Sequence, residues 1–191
     1  YLDEIATGAD ILQRNLMRAG DLVASFKQVA VDCSSSQLRE FRLSEVIRET
    51  LLTLRPAFKK LPVTFEQSIP DNIHMQSYPG PLTQVITNLV NNAVIHGLCD
   101  LPQGQVTVAA ILVSDQEVQI SVTDNGCGIP EENMHRIFEP FFTTKLGHGG
   151  SGLGLHIVYN NVTQILQGKI RVQSEPGCTV FTLNLPCHLQ T

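Results

Sequence analysis

The sequence predicts an α+β fold, with a mixed, largely antiparallel sheet, helices on one face, and a long N-terminal helix before them. Three observations predict it: a seven-residue apolar repeat in the first thirty residues, alternating strand and helix patterns after it, and short turns between consecutive strands. With 191 residues, 42% of them apolar and 16% charged, the chain can form one domain and one additional element.

A heptad repeat marks residues 1–30. Apolar residues occupy the first heptad position at Leu2, Ala9, Leu16, Val23 and Ala30, and the fourth at Ile5, Leu12, Ala19 and Phe26. This pattern is typical of a helix in a bundle or coiled coil, whose apolar stripe needs a partner. An ordinary amphipathic helix lying on the domain is the alternative. A serine-rich run at 33–36 ends the helix, so we place a domain boundary between segments 1–37 and 38–191.

The remaining elements follow in chain order. A short strand is expected at 41–43, and Ser44 can cap a helix that runs to about Lys60. Further strands are expected at 63–69, 106–113, 118–124, 169–174 and 179–185, and further helices at 81–96 and up to about Gln167. Residues 175–177 form the turn of the last hairpin.

Charge and composition exclude several classes of function. Thirteen Lys and Arg against 18 Asp and Glu give a net charge of −5, which argues against nucleic-acid binding through phosphate neutralisation. No apolar stretch approaches the roughly 20 residues of a membrane span, and no signal peptide opens the sequence, so we expect a cytoplasmic module. The five scattered cysteines suggest neither a disulfide framework nor a zinc site.

The helix predicted over 81–96 carries an unusual row of side-chain amides. Gln84, Asn88 and Asn92 are spaced four residues apart beside an apolar face, and Asn91 adjoins them. Because asparagine is a poor residue for a helix interior, this row indicates a functional site. Amide oxygens can bind Mg²⁺ and amide N–H groups can bind phosphate. A solvated polar face is the alternative.

A second candidate site begins at Asp124, which ends a strand and is followed by Gly126 and Gly128. Period-two alternation places Asp124 in phase with Val118, Ile120 and Val122, so its carboxylate should point to the buried side. A buried carboxylate needs a partner, and the exocyclic amine of a purine would supply one. A simple hairpin turn is the equally weighted alternative.

Glycines at 147–154 lead into the last helix and offer bare N–H groups and the positive end of the helix dipole to phosphate. Neither a Rossmann motif nor a P-loop fits, since the glycines follow a long loop and no Gly-Lys-Ser/Thr ends the run. Between the two glycine segments lie three phenylalanines, at 138, 141 and 142, and then Lys145. We expect this region to be a lid, with Lys145 able to contact a phosphate.

Segments 88–96, 124–128, 138–142 and 150–154 resemble, in order and spacing, the N, G1, F and G2 boxes of sensor histidine kinases. The resemblance covers about residues 40–186. It implies the ATP-binding catalytic domain of that family, a two-layer α/β sandwich with three main helices. Segment 1–37 is similar to the second helix of the dimerisation and phosphoacceptor bundle, which implies a homodimer.

The resemblance also implies roles for individual residues. Asn92 would bind Mg²⁺, with Asn88 and Asn91 nearby, and Asp124 would bind the adenine amine. Gly126 and Gly128 would shape the base pocket, Lys145 would reach a phosphate, and the N–H groups of Gly150, Ser151, Gly152, Leu153 and Gly154 would hold the triphosphate. Ile129 and Thr144 are further implied nucleotide contacts, and Asn88, Asn92 and Lys145 are the implied catalytic residues. Many members have Lys-Tyr where this chain has Ile95-His96, so His96 is a candidate substitute.

The implied reaction transfers the γ-phosphoryl group of ATP to a histidine on an upstream bundle helix, for relay to a response regulator. No histidine of this chain has the acceptor's setting, so we expect the fragment not to phosphorylate itself. Related ATP-hydrolysing chaperones and topoisomerases carry a glutamate where Asn88 stands, and an amide cannot act as a general base. A nucleotide-dependent binding module and a serine kinase of the same superfold are alternatives. The signal, the cognate regulator and any anchor of the parent protein in the inner membrane stay open.

Overall fold

The computed structural model describes residues 37–98, 102–144 and 151–189, together with Gly8 and Gly20. Apart from these two glycines, the heptad helix predicted over residues 1–30 lies outside the described residues. The bundle assignment of segment 1–37 therefore stays a prediction.

Seven strands lie in two sheets within the described ranges. They are β1 (Arg39–Arg42), β2 (Val63–Ser68), β3 (His74–Ser77), β4 (Gly104–Ser114), β5 (Glu117–Asp124), β6 (Lys169–Glu175) and β7 (Cys178–Pro186). The main sheet has the order β2-β4-β5-β7-β6, and β1 pairs with β3 in a separate two-stranded sheet. Only β2 and β4 are parallel, so the prediction of a mixed, largely antiparallel main sheet is confirmed.

The helices are α1 (Leu43–Leu54), α2 (Pro79–Asn92), the short α3 (Glu131–Met134) and α4 (Gly154–Asn160). A 3₁₀ turn at Arg55–Phe58 follows α1, and π-helical turns at Ala93–Gly97 and Asn161–Ile165 extend α2 and α4. Helix α1 ends earlier than predicted because Pro56 has no N–H to donate and cannot continue an α-helix. Strand β3 and helix α3 were not predicted, since four residues each carry too little periodicity.

Ser44 is not the N-cap of α1. Strand β1 leads directly into the helix, so Arg42 occupies the cap position and the N–H of Leu43 bonds to the carbonyl of Ile73 at 3.0 Å. Leu43 is fully buried, which draws the first helical turn into the core. The Oγ of Ser44 is buried and makes no hydrogen bond to any described residue.

The core lies between the helices and one face of the main sheet. In β5, Val118, Ile120, Val122 and Asp124 are buried, whereas the residues between them are partly exposed. This alternation is the pattern of a sheet with one covered face. Within the described residues, no helix is both long enough and apolar enough to cross a bilayer.

Candidate functional site

A large cavity lies where α2, the end of β5 and the start of α4 meet. Its volume is about 1120 Å³, and further walls come from segment 129–144 and the turn between β6 and β7. A cavity of this size fits a nucleotide-sized ligand, since ligand pockets usually measure about 300–1,000 Å³.

The structure brings most of the predicted site residues to this cavity. Those that line it are Asn88, Asn91, Asn92, His96, Asp124, Gly128, Ile129, Thr144, Ser151, Gly152 and Gly154. Gly126 and Leu153 lie beside it without lining it. Lys145 and Gly150 lie outside the described residues, whereas the rest of the predicted lid, up to Thr144, is described.

Asp124 is a buried carboxylate that lines the cavity. It is 5% exposed, as its phase in β5 predicts, and its Oδ1 accepts the N–H of Gly126 at 2.9 Å. Burial raises the pKa of this carboxyl group to about 6, and the hydrogen bond from Gly126 opposes that rise. Among the described residues no other group donates to the carboxylate. It therefore has acceptor capacity to offer a ligand.

Position 126 has no room for a side chain, because Asp124 and the backbone of Gly97 lie too close to it. A Cβ on Gly126 would lie 2.5 Å from Oδ1 of Asp124 and 2.6 Å from the carbonyl oxygen of Gly97. The N–H of Cys127 bonds to that same carbonyl at 3.0 Å. The glycine therefore lets the loop after β5 pack against the end of α2, behind the carboxylate.

A pair of hydroxyls supports the loop from the neighbouring strands. Thr179 of β7 is the direct partner of Asp124 in the sheet register. Its Oγ1 lies 2.9 Å from Oγ of Ser174, which accepts the N–H of Ile129 at 2.8 Å. Both residues line the cavity, and sequence reasoning missed them, because no local pattern reveals which strand pairs with β5.

The side-chain amides of α2 lie in two environments, a contact between helices and the cavity. Gln84 is buried, and its Oε1 accepts a hydrogen bond from Nδ2 of Asn161 at 2.5 Å, so it joins α2 to α4 rather than lining the cavity. One turn later Asn88 lies against the start of α4, since a Cβ on Gly154 would be 3.6 Å from Oδ1 of Asn88. Asn91 and Asn92 are half-buried, and their side chains have no hydrogen-bond partner among the described residues. Their amides are available to a ligand.

The π-helical turn after α2 contacts both the loop after β5 and the predicted lid. Nδ1 of His96 lies 3.4 Å from Oγ1 of Thr144, and the Sγ of Cys127 lies 3.5 Å from the carbonyl oxygen of His96. Cys127 is exposed and lines the cavity. It was not predicted as a site residue.

The three phenylalanines occupy different environments. Phe138 packs on the core and lies 5.5 Å from the ring of Tyr159, Phe142 lines the cavity beneath the guanidinium of Arg136, and Phe141 is exposed. The N–H of Phe141 bonds to the carbonyl of Gly152 at 2.8 Å. Gly152 has φ of +71°, and a Cβ there would lie 2.4 Å from the carbonyl carbon of Phe141, so only glycine fits.

Further lining residues were absent from the sequence-based prediction. They include Met134, Ile137, Leu155 and Ile157, whose apolar side chains suit the faces of a flat ring. The apolar pattern of the last helix, which includes Leu155, gave a signal for that residue alone. Over the described ranges, no cluster of three or more His, Cys, Asp or Glu residues could hold a metal ion.

The family model described as histidine kinase-, DNA gyrase B- and HSP90-like ATPase matches residues 78–189. Among curated proteins, the chain is 34% identical to the signal transduction histidine-protein kinase AtoS of Escherichia coli K12 over 81% of this chain and 25% of AtoS. It is 36% identical to the sensor histidine kinase ZraS of Klebsiella oxytoca over 97% of this chain and 38% of ZraS. The chain thus spans about two fifths or less of these two relatives.

Solved structures show the same fold. The catalytic domain of the histidine kinase ThkA superposes with a TM-score of 0.70 at 30% identity, over 80% of this chain and 97% of that domain. A structure of ThkA in complex with the response regulator TrrA matches with a TM-score of 0.68 at 25% identity, over 88% of this chain and 49% of that chain.

Proposed function

This chain belongs to the histidine kinase-, DNA gyrase B- and HSP90-like ATPase family, and we propose that it acts as the catalytic module of a sensor histidine kinase. In this role it binds ATP with Mg²⁺ and presents the γ-phosphoryl group to a histidine on a bundle helix. The buried carboxylate of Asp124, which lines a cavity of about 1120 Å³, carries this proposal.

Asp124 would select adenine. Its Oδ1 is occupied by the N–H of Gly126, so the remaining acceptor capacity faces the cavity. The exocyclic amine of adenine donates hydrogen bonds, and guanine has an acceptor oxygen at that position. An ionised carboxylate therefore attracts adenine and repels guanine.

The amides of α2 fit the metal and phosphate end. Asn92 lines the cavity and its side-chain oxygen has no partner among the described residues, so it can serve as a ligand of Mg²⁺. Mg²⁺ usually keeps several waters and takes one or two protein oxygens plus substrate phosphates, which suits a site without a carboxylate cluster. Bound there, the ion would neutralise phosphate charge.

The start of α4 would hold the phosphates. Ser151, Gly152 and Gly154 line the cavity at the start of α4, and a helix N-terminus favours anions. Lys145, Gly150 and the side chain of His96 are the further phosphate contacts we propose. Asn88, one turn before Asn92, cannot accept a proton from water, which favours transfer to a docked nucleophile over hydrolysis.

The partners follow from the same reasoning and are proposals. Segment 1–37, with its heptad repeat, would be the second helix of a bundle that forms a homodimer, and residues 38–191 would be the catalytic domain. A response regulator would receive the phosphoryl group. The ThkA–TrrA complex supports this partner, since its kinase shares the fold.

A phosphoryl-transfer assay tests the whole proposal. The chain is incubated with γ-labelled ATP, Mg²⁺ and a separately supplied helix bundle from ZraS, and label on the bundle is followed before and after acid treatment. Acid-labile label on the bundle is the expected result, because phosphohistidine is cleaved by acid. Tight ATP binding by this chain without any transfer would favour a nucleotide-dependent binding module, and acid-stable label would favour a serine kinase.

A further inference from the structure

A side-chain contact joins α4 to the segment that carries the phenylalanines. Nδ1 of His156 lies 3.0 Å from the carbonyl oxygen of Phe138, and its Nε2 lies 3.1 Å from Nδ2 of Asn160. A carbonyl oxygen can only accept, so Nδ1 must carry the proton. In that neutral tautomer Nε2 accepts from the amide of Asn160, and both ring nitrogens are satisfied.

The two elements joined by this contact form different walls of the cavity. Ile137 and Phe142 line it from the segment 137–142, and Leu155 and Ile157 line it from α4. His156 lies between the latter two in sequence but is not itself a lining residue. Its hydrogen bond therefore connects the two cavity walls through a residue that does not itself line the cavity.

A second hydrogen bond connects the other end of the segment to the residues just before α4. The N–H of Phe141 donates to the carbonyl of Gly152 at 2.8 Å. Phe141 itself has φ of +67°, a conformation that costs a non-glycine residue free energy and persists only where neighbours enforce it. With bonds at Phe138 and Phe141, the segment is fixed on both sides of Glu139 and Pro140.

We propose that His156 is a positioning residue for nucleotide binding. By donating to the carbonyl of Phe138 it holds segment 137–142 against α4, which sets the separation of two cavity walls. Its effect on ATP affinity rests on the proposed function, whereas its effect on the segment does not. The imidazole touches neither the cavity nor any group placed in the phosphoryl transfer.

Three substitutions at this position separate the hydrogen bond from the rest of the side chain. His156→Ala removes the donor. His156→Asn places an amide nitrogen the same number of bonds from Cβ as Nδ1, and His156→Gln places it one bond further away. Ala has a higher helix propensity than Asn. If helix propensity alone determined the result, His156→Ala would therefore disturb the protein less than His156→Asn. Asn160→Ala is the matched control, because it contacts the other ring nitrogen and not Phe138.

Two measurements on the full chain test the inference. Amide hydrogen exchange of segment 137–142, without nucleotide, reports its attachment to α4, and calorimetric titration with Mg²⁺ and a non-hydrolysable ATP analogue reports affinity. His156→Ala and His156→Gln should speed exchange and weaken affinity about 3- to 10-fold, the range expected for one uncharged hydrogen bond. His156→Asn and Asn160→Ala should stay within about twofold of the parent on the same scale.

Unchanged exchange in His156→Ala, or equal losses in the Ala and Asn variants, would overturn the inference. If His156→Ala does not fold, the comparison of Gln with Asn decides it. If the parent itself does not bind the ATP analogue, the proposed function fails, and the exchange measurement still decides whether His156 positions the segment.

Discussion

Replacing Asp124 with Asn tests the base-binding end of the cavity most directly. The substitution keeps the size of the side chain and removes its charge. The new amide would direct its oxygen to the N–H of Gly126, which now lies 2.9 Å from Oδ1, and would turn its NH₂ group toward the cavity. Two donors would then face each other where adenine binds. We expect ATP affinity to fall sharply.

The magnitude follows from the contact that is lost. A hydrogen bond to a charged group contributes about 1.5–3 kcal/mol, which corresponds to roughly 10- to 150-fold in affinity at about 1.4 kcal/mol per factor of ten. Asp124 is only 5% exposed, so we expect a loss near the upper end. Calorimetric titration with Mg²⁺-ATP measures it, and GTP serves as the comparison nucleotide.

The pH dependence gives an independent check. Because burial raises the pKa of Asp124 to about 6, the carboxyl group of the free protein is mostly protonated below pH 6 and mostly ionised above it. Adenine binds the ionised form, so binding at lower pH must first remove the proton. Affinity of the parent should therefore fall below pH 6, approaching tenfold per pH unit, and the Asn variant should lack this limb.

Asp115→Asn is the matched control. It removes the same charge from an exposed turn between β4 and β5, away from the cavity, and should leave affinity unchanged. Equal affinity of the parent for ATP and GTP, or parental ATP affinity in the Asp124→Asn variant, would refute the assignment.

The remaining predictions concern the phosphate end, the segment contact and the acceptor. Asn92→Ala should abolish the gain in ATP affinity that Mg²⁺ gives over EDTA, with the melting temperature nearly unchanged; a retained Mg²⁺ effect would contradict the metal assignment. Gly152→Ala should destabilise the fold by about 1–3 kcal/mol more than Gly177→Ala in urea unfolding, because both have positive φ but only Gly152 would clash, and equal losses would refute the clash. The chain incubated alone with γ-labelled ATP should gain no acid-labile label, and its appearance would place an acceptor within these residues.

Period-two alternation was enough to predict the buried carboxylate. Val118, Ile120 and Val122 alternate with polar residues, and the strand extends to Asp124 without a break in register. The support from Thr179 was not predictable, because 53 residues lie between the end of β5 and the start of β7, and the register of β7 depends on pairing across the sheet. Local patterns give the orientation of a side chain, and tertiary pairing gives its neighbours.

The amide row shows where spacing alone falls short. Residues four apart share a helix face, and that prediction is correct for α2. The face, however, is shared between α4 and the cavity, so Gln84 packs against Asn161 while Asn92 lines the cavity. Since Asn161 lies 77 residues away in sequence, no local signal could separate the interhelical amide from the ligand-facing ones.

The π-helical turn at Ala93–Gly97 connects Asn92, on one side of the cavity, to the backbone that packs against Asp124. It begins directly after Asn92, the proposed metal ligand, and ends at Gly97, whose carbonyl accepts the N–H of Cys127 at 3.0 Å. A Cβ on Gly97 would lie 2.8 Å from Oδ1 of Asp124, so this end of the turn packs directly against the carboxylate that we propose binds the base. Five residues thus connect the proposed phosphate end to the proposed adenine end. The π turn closes i→i+5 hydrogen bonds instead of the i→i+4 bonds of an α-helix, so it orients Gly97 differently from a regular continuation of α2. The spacing between the proposed metal ligand and the proposed base-binding carboxylate is therefore set by the backbone at the end of α2, which the pattern of a helix with an amide row does not reveal.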